Sequence, residues 1–340
     1  MLIRKSYRTH KAGSISRLKL VEEKLGEPLE HEVQIKVKAI GLNFADVFAI
    51  LGLYGATPEG SFIPGLEYSG EIIATGSQVS NFQVGDRVMG VTRFGAYTSH
   101  LNIDADYVNK IPENWTYEEG ASFLVQALTA YYGLFHLGNL KKGDTVLIHS
   151  GAGGVGLLAN RMAQKMGAFT IGSIGSASKI DILKKEGYQK YIVRSNRFKS
   201  DLEQALKGRE LNLIMECIGG KIFKIGYDML APQGRVINYG SARYGDTHNS
   251  PNWPRLAWLY LTRPKIDPQK MIESNKGILG FNLIWLYDRK ELMKQILKEL
   301  EALQMEAPYI GYQFKFEEMH KALKLFQSGK TMGKVVLSLE

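Results

Sequence analysis

Only one cysteine, Cys217, occurs in the 340 residues. That excludes a disulfide framework within the chain and any zinc lobe built from cysteines, and it fits a reducing, cytoplasmic setting. No apolar run reaches the roughly 18 residues of a membrane-spanning helix. Met1-Leu2-Ile3-Arg4-Lys5 opens the chain with no apolar signal core behind its charges, so no secretory signal is expected. The seven histidines, His10, His31, His100, His136, His149, His248 and His320, show no metal-binding spacing such as H-x-x-x-H. No block of Lys and Arg interleaved with aromatics occurs either. The 43 basic residues exceed the 34 acidic ones, for a formal charge of +9. They are spread along the whole chain, which points to a solvated basic surface rather than a nucleic-acid partner.

What is present is a globular balance, 44% hydrophobic and 23% charged. It excludes collagen, coiled coil and intrinsic disorder, and the length suits two domains. The first third reads as antiparallel β. Over residues 32–42, Val33, Ile35, Val37 and Ala39 alternate with Gln34, Lys36 and Lys38, the pattern of a half-buried strand. Further short strands are expected at 71–75, 87–91 and 97–101, and a small β-barrel-like domain packs them most simply. After residue 116 the pattern changes. A helix is expected over 117–137, with Thr116 and Glu119 as a capping box. Strands at 145–149, 169–173, 191–193, 213–217 and 235–239 then alternate with helices, and 277–281 could add a sixth. That alternation means a parallel sheet wound by helices. Over 154–166 the inner helix stripe reads Val155, Leu158, Met162 and Met166. The tail offers helices over 289–303 and 317–328 and a strand over 334–339. Residues 250–268 hold Trp253, Trp258, Tyr260 and four prolines. They read either as a short helix buried against the pocket or a neighbouring subunit, or as a lipid-facing surface.

The strand at 145–149 runs into Gly151-Ala152-Gly153-Gly154-Val155-Gly156 and then into a helix. In that context a G-x-G-x-x-G string reads as a dinucleotide loop. Gly151 is expected to permit the tight turn, Gly153 to let a pyrophosphate approach the backbone, and Gly156 to let helix and strand pack closely. Free N–H groups at the helix start would hold the anion. An NAD enzyme places a carboxylate near the tip of the second strand, for the ribose 2′-hydroxyl. No acid occurs between Asp144 and Asp181. Ser173, Ser176, Ser178 and Lys179 stand there instead, with Arg194 past the next strand. Hydroxyls and cations suit a 2′-phosphate, so NADPH is the expected cofactor. Cys217, after an apolar strand, reads as a buried core thiol.

Several motifs spread over nearly the whole chain carry a family resemblance: Gly41-Leu42-Asn43-Phe44-Ala45-Asp46, Gly52-Leu53-Tyr54, Pro64-Gly65-Leu66-Glu67, Gly85-Asp86-Arg87-Val88, Gly153-Gly154-Val155-Gly156, Ser176-Ala177-Ser178-Lys179 and Gly333-Lys334-Val335. Together they resemble the medium-chain dehydrogenase/reductase superfamily. Within it they are most similar to the zinc-free, zeta-crystallin-like quinone oxidoreductase branch and its vesicle amine transport protein-like group. The resemblance implies an α/β fold, with a GroES-like β-barrel catalytic domain over 1–125, a doubly wound Rossmann domain over 126–284 and a return to the catalytic domain over 285–340. It also implies a cleft between the domains and a homodimer.

Zinc alcohol dehydrogenases of the superfamily carry a Cys near the Asn43 position and a His at the Leu66 position, so no metal site is expected here. Alcohol oxidation is then disfavoured, and reduction of a quinone, enone or enal remains. The family pattern puts Tyr54 over the nicotinamide, Asn43 and Gln126 on the substrate side, and Thr129 against the cofactor. Tyr239, Gly240 and Ser241, then Phe281, Asn282 and Leu283, would pass the nicotinamide, with Lys334 at its C-terminal edge. Asn43 as a loop-holding residue, Tyr54 as a packing residue and Gln126 as the partner of a buried polar group are the alternative readings. At the level of function two alternatives stand. One is a lipid- or partner-binding protein that keeps NADPH as a structural ligand. The other is an enoyl-thioester reductase.

Overall fold

The computed structural model describes residues 2–245 and 249–340, which leaves His248 outside the described residues. Two units divide the chain. The first holds Met1–Val125, Thr247–Asn252 and Glu306–Glu340, and the second holds Gln126–Asp246 and Trp253–Met305. The return to the first unit thus lies at Glu306, not at residue 285. The physical reason is the helix Lys290–Ala302. It buries Met293, Ile296 and Leu300, and its Glu299 stands 3.2 Å from His136 of the second unit.

In the first unit a sheet runs, edge to edge, through Ile310–Lys315, Lys334–Ser338, Glu32–Gly41, Glu67–Thr75, Arg87–Val91 and Val108–Lys110, with His100–Asp104 also pairing to Glu32–Gly41. Every pairing is antiparallel except that of Ile310–Lys315 with Lys334–Ser338. Val33, Ile35, Val37 and Ala39 are buried as their alternation requires. Gln34 is buried too, because its amide donates to the Gly26 carbonyl and to Asn102 Oδ1, both at 2.9 Å. This is the GroES-like, β-rich part of the fold.

The second unit is built on six parallel strands, in the spatial order Lys190–Val193, Phe169–Ile174, Thr145–His149, Leu211–Glu216, Leu230–Asn238, Gly277–Gly280. Numbered along the chain this is 3-2-1-4-5-6, the doubly wound dinucleotide-binding order. Leu147, Ile171, Ile214 and Val236 form its core with Phe198, Leu202 and Tyr227. Each such buried aliphatic side chain contributes about 1.5–3 kcal/mol.

Three expectations shift. The helix over 117–137 is broken into Tyr117–Gly120, Leu124–Tyr131 and a π-helical turn Tyr132–Leu137. The break falls where the chain leaves the first unit, and the Glu67 carboxylate there accepts the Val125 N–H. In the helix Gly154–Lys165, Leu158 and Met162 face inward, but Val155 is half-exposed and Met166, the C-cap, is exposed. Gly156, Ala159 and Ala163 are buried in their place, as close packing against the sheet demands. Finally, Trp253–Leu261 is a helix that buries only Leu256. Trp253, Trp258, Tyr260 and Leu261 are 64%, 67%, 57% and 70% exposed, so this helix is not buried against a pocket within the chain.

Candidate functional site

Because the second unit's strands are parallel, their C-terminal ends share one edge, and the loops after them gather there. The loop after Thr145–His149 is the glycine loop. Its left-handed residue is Ser150, with φ +51°, while Gly151, expected to permit the tight turn, has no positive φ. Gly151 favours close packing instead: a β-carbon there would stand 3.1 Å from the Tyr188 hydroxyl and 3.2 Å from the Gly172 Cα. One on Gly156 would stand 2.5 Å from the Ser150 carbonyl oxygen, so the helix can settle on its own loop only without a side chain. At Gly153 a β-carbon would meet only the Ser150 carbonyl oxygen, at 3.2 Å. The helix Gly154–Lys165 starts with no side-chain cap and no acid in its first turn. Its N–H groups and the positive end of its dipole therefore suit a pyrophosphate. Tyr188 underpins the loop, its hydroxyl reaching the carbonyls of Gly151 and Gly156 at 3.1 and 2.8 Å.

At the next strand end Ser173 is wholly buried and turned inward, bonded to His149 Nδ1 at 2.9 Å. It is not exposed for direct contact with a phosphate. Ser176 and Ser178 are exposed. Ser176 caps the short turn Ala177–Lys179, and its hydroxyl lies 2.9 Å from that of Ser178. Arg194 crosses from the third strand. Its Nη1 donates to the Ser173 carbonyl and hydroxyl, both at 3.1 Å, and its guanidinium lies against Gly175. Burial holds the Lys179 ammonium below its usual pKa, and the nearby Arg194 charge lowers it further. Two cations thus share the strand tip where NAD selection would need a carboxylate.

Further along the edge, Tyr239, Gly240 and Ser241 follow Leu230–Asn238 and lie beside the loop after the fourth strand. The Tyr239 N–H donates to the Glu216 carbonyl at 3.0 Å and the Ala242 N–H to that of Cys217 at 2.7 Å. Burial pushes the Cys217 thiol up, and Ser150 Oγ lies 3.4 Å from its sulfur. Phe281 follows the sixth strand, donates its N–H to Asn238 and stacks edge-on with Tyr132 at 5.0 Å. Asn282 and Leu283 continue that loop into a 3₁₀ turn. Gln126 and Thr129 are buried on the helix Leu124–Tyr131, away from these loops in the sequence.

In the first unit the structure brings Asn43 and Lys334 together. Lys334 Nζ donates to Asn43 Oδ1 at 2.9 Å and makes a very short contact with Glu67 Oε1. The Asn43 amide donates to Glu67 Oε1 at 3.0 Å and to the Gly41 carbonyl at 3.2 Å. Both amide hydrogens are thereby engaged within the protein. Asp46 accepts from the Asn43 N–H at 2.8 Å and from the Tyr97 hydroxyl at 3.0 Å. Burial pushes its carboxyl up to about 7, against the pull of those bonds and of Lys334. Asp46, Glu67 and Tyr97 were not singled out by sequence reasoning. The available signal was Asn43-x-x-Asp46 at a helix start, half of a capping box. Tyr54 lies past the helix Phe44–Leu51, half-buried, in a turn closed by Thr57, whose hydroxyl donates to the Tyr54 carbonyl at 2.6 Å. Among the described residues no group of three or more His, Cys, Asp or Glu is placed to hold a metal ion.

Comparison with known proteins agrees with this architecture. Residues 29–113 match the model of the alcohol dehydrogenase GroES-like domain, and residues 154–298 that of the zinc-binding dehydrogenase. The human synaptic vesicle membrane protein VAT-1 homolog is 32% identical over 330 residues, which cover 96% of this chain and 84% of that protein. A mycobacterial protein, Rv1454c, solved in complex with NADPH, superposes with a TM-score of 0.85 at 27% identity, covering 99% of this chain and 100% of that one. A mycobacterial quinone oxidoreductase superposes with a TM-score of 0.80 at 26% identity, with the same coverage.

Proposed function

The chain belongs to the medium-chain dehydrogenase/reductase superfamily, in the quinone oxidoreductase-like branch near the VAT-1 homologs, and from that premise we propose that it is an NADPH-dependent, zinc-independent reductase of quinones or α,β-unsaturated carbonyls. The observation that carries this reading is the pair of cations, Lys179 and Arg194, at the tip of the second parallel strand. NADPH, when bound, supplies the hydride. The glycine loop and the start of the helix Gly154–Lys165 would hold its pyrophosphate, and Lys179 and Arg194 its 2′-phosphate. Such an acceptor is already electrophilic, so positioning contributes most of the rate. The Tyr54 hydroxyl donates a hydrogen bond to the acceptor oxygen as negative charge develops there. Asn43, clamped by Lys334 and Glu67, keeps the preceding segment in place.

An NADPH-oxidation screen over quinones, enals, enones and enoyl thioesters tests the proposal. Turnover with at least one class is expected. Tyr54→Phe should then lower kcat about tenfold and leave the NADPH dissociation constant nearly unchanged, because the lost bond is made only to the reacting oxygen. No turnover across the panel, from a protein that binds NADPH, would refute the enzymatic reading.

The exposed helix Trp253–Leu261 favours a second reading, attachment to an anionic lipid surface with NADPH as a structural ligand. Arg263 stacks over Tyr260 at 3.7 Å, and Lys265 and Lys270 follow in the sequence. Aromatic and basic side chains together suit a membrane interface. Co-sedimentation with anionic vesicles should be lost on Trp258→Ser, and neutral vesicles should not bind. Equal recovery with and without vesicles would dismiss this reading.

A further inference from the structure

Four neighbouring strands of the second unit carry a polar residue at or next to their C-terminal ends: Glu216 and His149 end theirs, Ser173 is the last but one of its strand, and Arg194 follows the end of the fourth. Register explains why they meet. His149 pairs with Ser173 across the ladder, Ile148 pairs with Met215 just before Glu216, and Val193 pairs with Ile174 just before Arg194. Glu216, His149 and Ser173 are completely buried or nearly so. Glu216 Oε1 accepts the N–H groups of Ile218 and Gly219 from the loop after its strand. Its Oε2 stands 3.2 Å from His149 Nε2, within ion-pair distance but off the angle of a good hydrogen bond. Phe198 closes the other side of the imidazole at 5.8 Å.

Donor logic orders this row. Arg194 can only donate, and its Nη1 approaches Ser173 Oγ at 3.1 Å. The Glu216 carboxylate beside Nε2 favours the imidazole proton there. Nδ1 is then the acceptor, and the Ser173 hydroxyl donates to it at 2.9 Å. Burial favours the neutral ring. The row ends on the guanidinium.

We propose that the buried His149–Ser173 pair, braced by Glu216, fixes the Arg194 guanidinium for the adenosine 2′-phosphate and so sets the preference for NADPH over NADH. The proposal rests on the NADPH reading above. It makes His149 and Ser173 positioning residues that need not touch the cofactor. Their loss should therefore act on one cofactor only.

Ser173→Ala and His149→Gln, in the full-length protein, test this by fluorescence titration of both cofactors, with melting temperature followed in parallel. Ser173→Ala removes a single oxygen and keeps the fold available should His149→Gln unfold. Each variant should raise the NADPH dissociation constant about three- to tenfold, the effect of one hydrogen bond, with that for NADH moving less than about twofold. Equal losses for both cofactors, or an unchanged NADPH constant in Ser173→Ala, would overturn the proposal while the NADPH reading stands. A wild-type protein that prefers NADH would overturn that reading, and the proposal with it.

Discussion

Replacing Lys334 by Met should lower the unfolding free energy by about 3–5 kcal/mol, the loss typical of a buried ion pair stripped of one partner. Lys334 and Glu67 are both almost wholly buried and in direct contact. Asn43 bonds to both of them, and Asp46 is buried next to Asn43. Methionine fills the space but leaves a buried carboxylate with no counterion. The cost should depend on pH, and its sign follows from Asp46. Its folded-state pKa is raised from 3.8 to about 7. The folded protein therefore holds that proton more tightly than the unfolded chain does. Asp46's contribution is fully favourable below about pH 4 and is lost as pH rises towards 7. The Lys334 charge opposes the rise, so its removal should steepen the loss with pH and shrink the mutational cost in acid, where Asp46 is protonated. Urea unfolding at pH 5 and pH 8 measures both effects. A cost below about 1 kcal/mol at pH 8 would mean that the pair contributes no more than a surface bridge does.

This cluster also shows where the sequence ran out. The parallel sheet was legible because its strands are apolar runs with helices between them, and the glycine loop because its spacing is tied to one backbone geometry. The antiparallel sheet was half legible. Alternation at Val33, Ile35, Val37 and Ala39 marked a strand, but nothing local says that Lys334–Ser338 pairs antiparallel with Ala39–Gly41 of that same strand. That pairing, across almost the whole chain, is what delivers Lys334 to Asn43 and Glu67. Asp46 and Glu67 stand in the sequence only as members of family motifs, with no sign of their burial. The second unit hides a subtler case. Thr-Val-Leu-Ile-His and Leu-Ile-Met-Glu each finish on a polar residue and Phe-Thr-Ile-Gly-Ser-Ile carries one just before its end, a pattern visible in the chain. Their alignment depends on ladder register, which the sequence does not state. The position of Ser173 was legible for the same reason as its strand. Its inward orientation was not, because it depends on His149 from the neighbouring strand.

The double variant Lys179→Ala/Arg194→Ala should weaken NADPH binding about a hundredfold or more and leave NADH binding nearly unchanged. A charge-assisted hydrogen bond is worth roughly 1.5–3 kcal/mol, and about 1.4 kcal/mol is a factor of ten, so each single variant should lose at least about tenfold. The two losses should not simply add. In the free protein burial lowers the Lys179 pKa and the neighbouring Arg194 charge lowers it further, as expected of two cations that repel each other before any ligand arrives. A 2′-phosphate relieves that repulsion, and removing either cation relieves it too. Arg194 is the more deeply fixed of the two, tied to the Ser173 carbonyl and hydroxyl, and should account for more of the discrimination between the cofactors. Salt gives an independent reading. Screening weakens a partly exposed ion contact, so wild-type preference for NADPH should shrink as ionic strength rises, and the double variant should show no such trend. Acid should act likewise, because a phosphate monoester takes up its second proton near pH 6. Alkali should weaken NADPH binding as well, once Lys179 begins to deprotonate below the ordinary lysine range. Titrations of both cofactors across salt and pH, with wild type and the three variants, measure all of this. Equal losses for NADH and NADPH would mean that the strand tip binds the shared adenosine and not the phosphate that distinguishes the two.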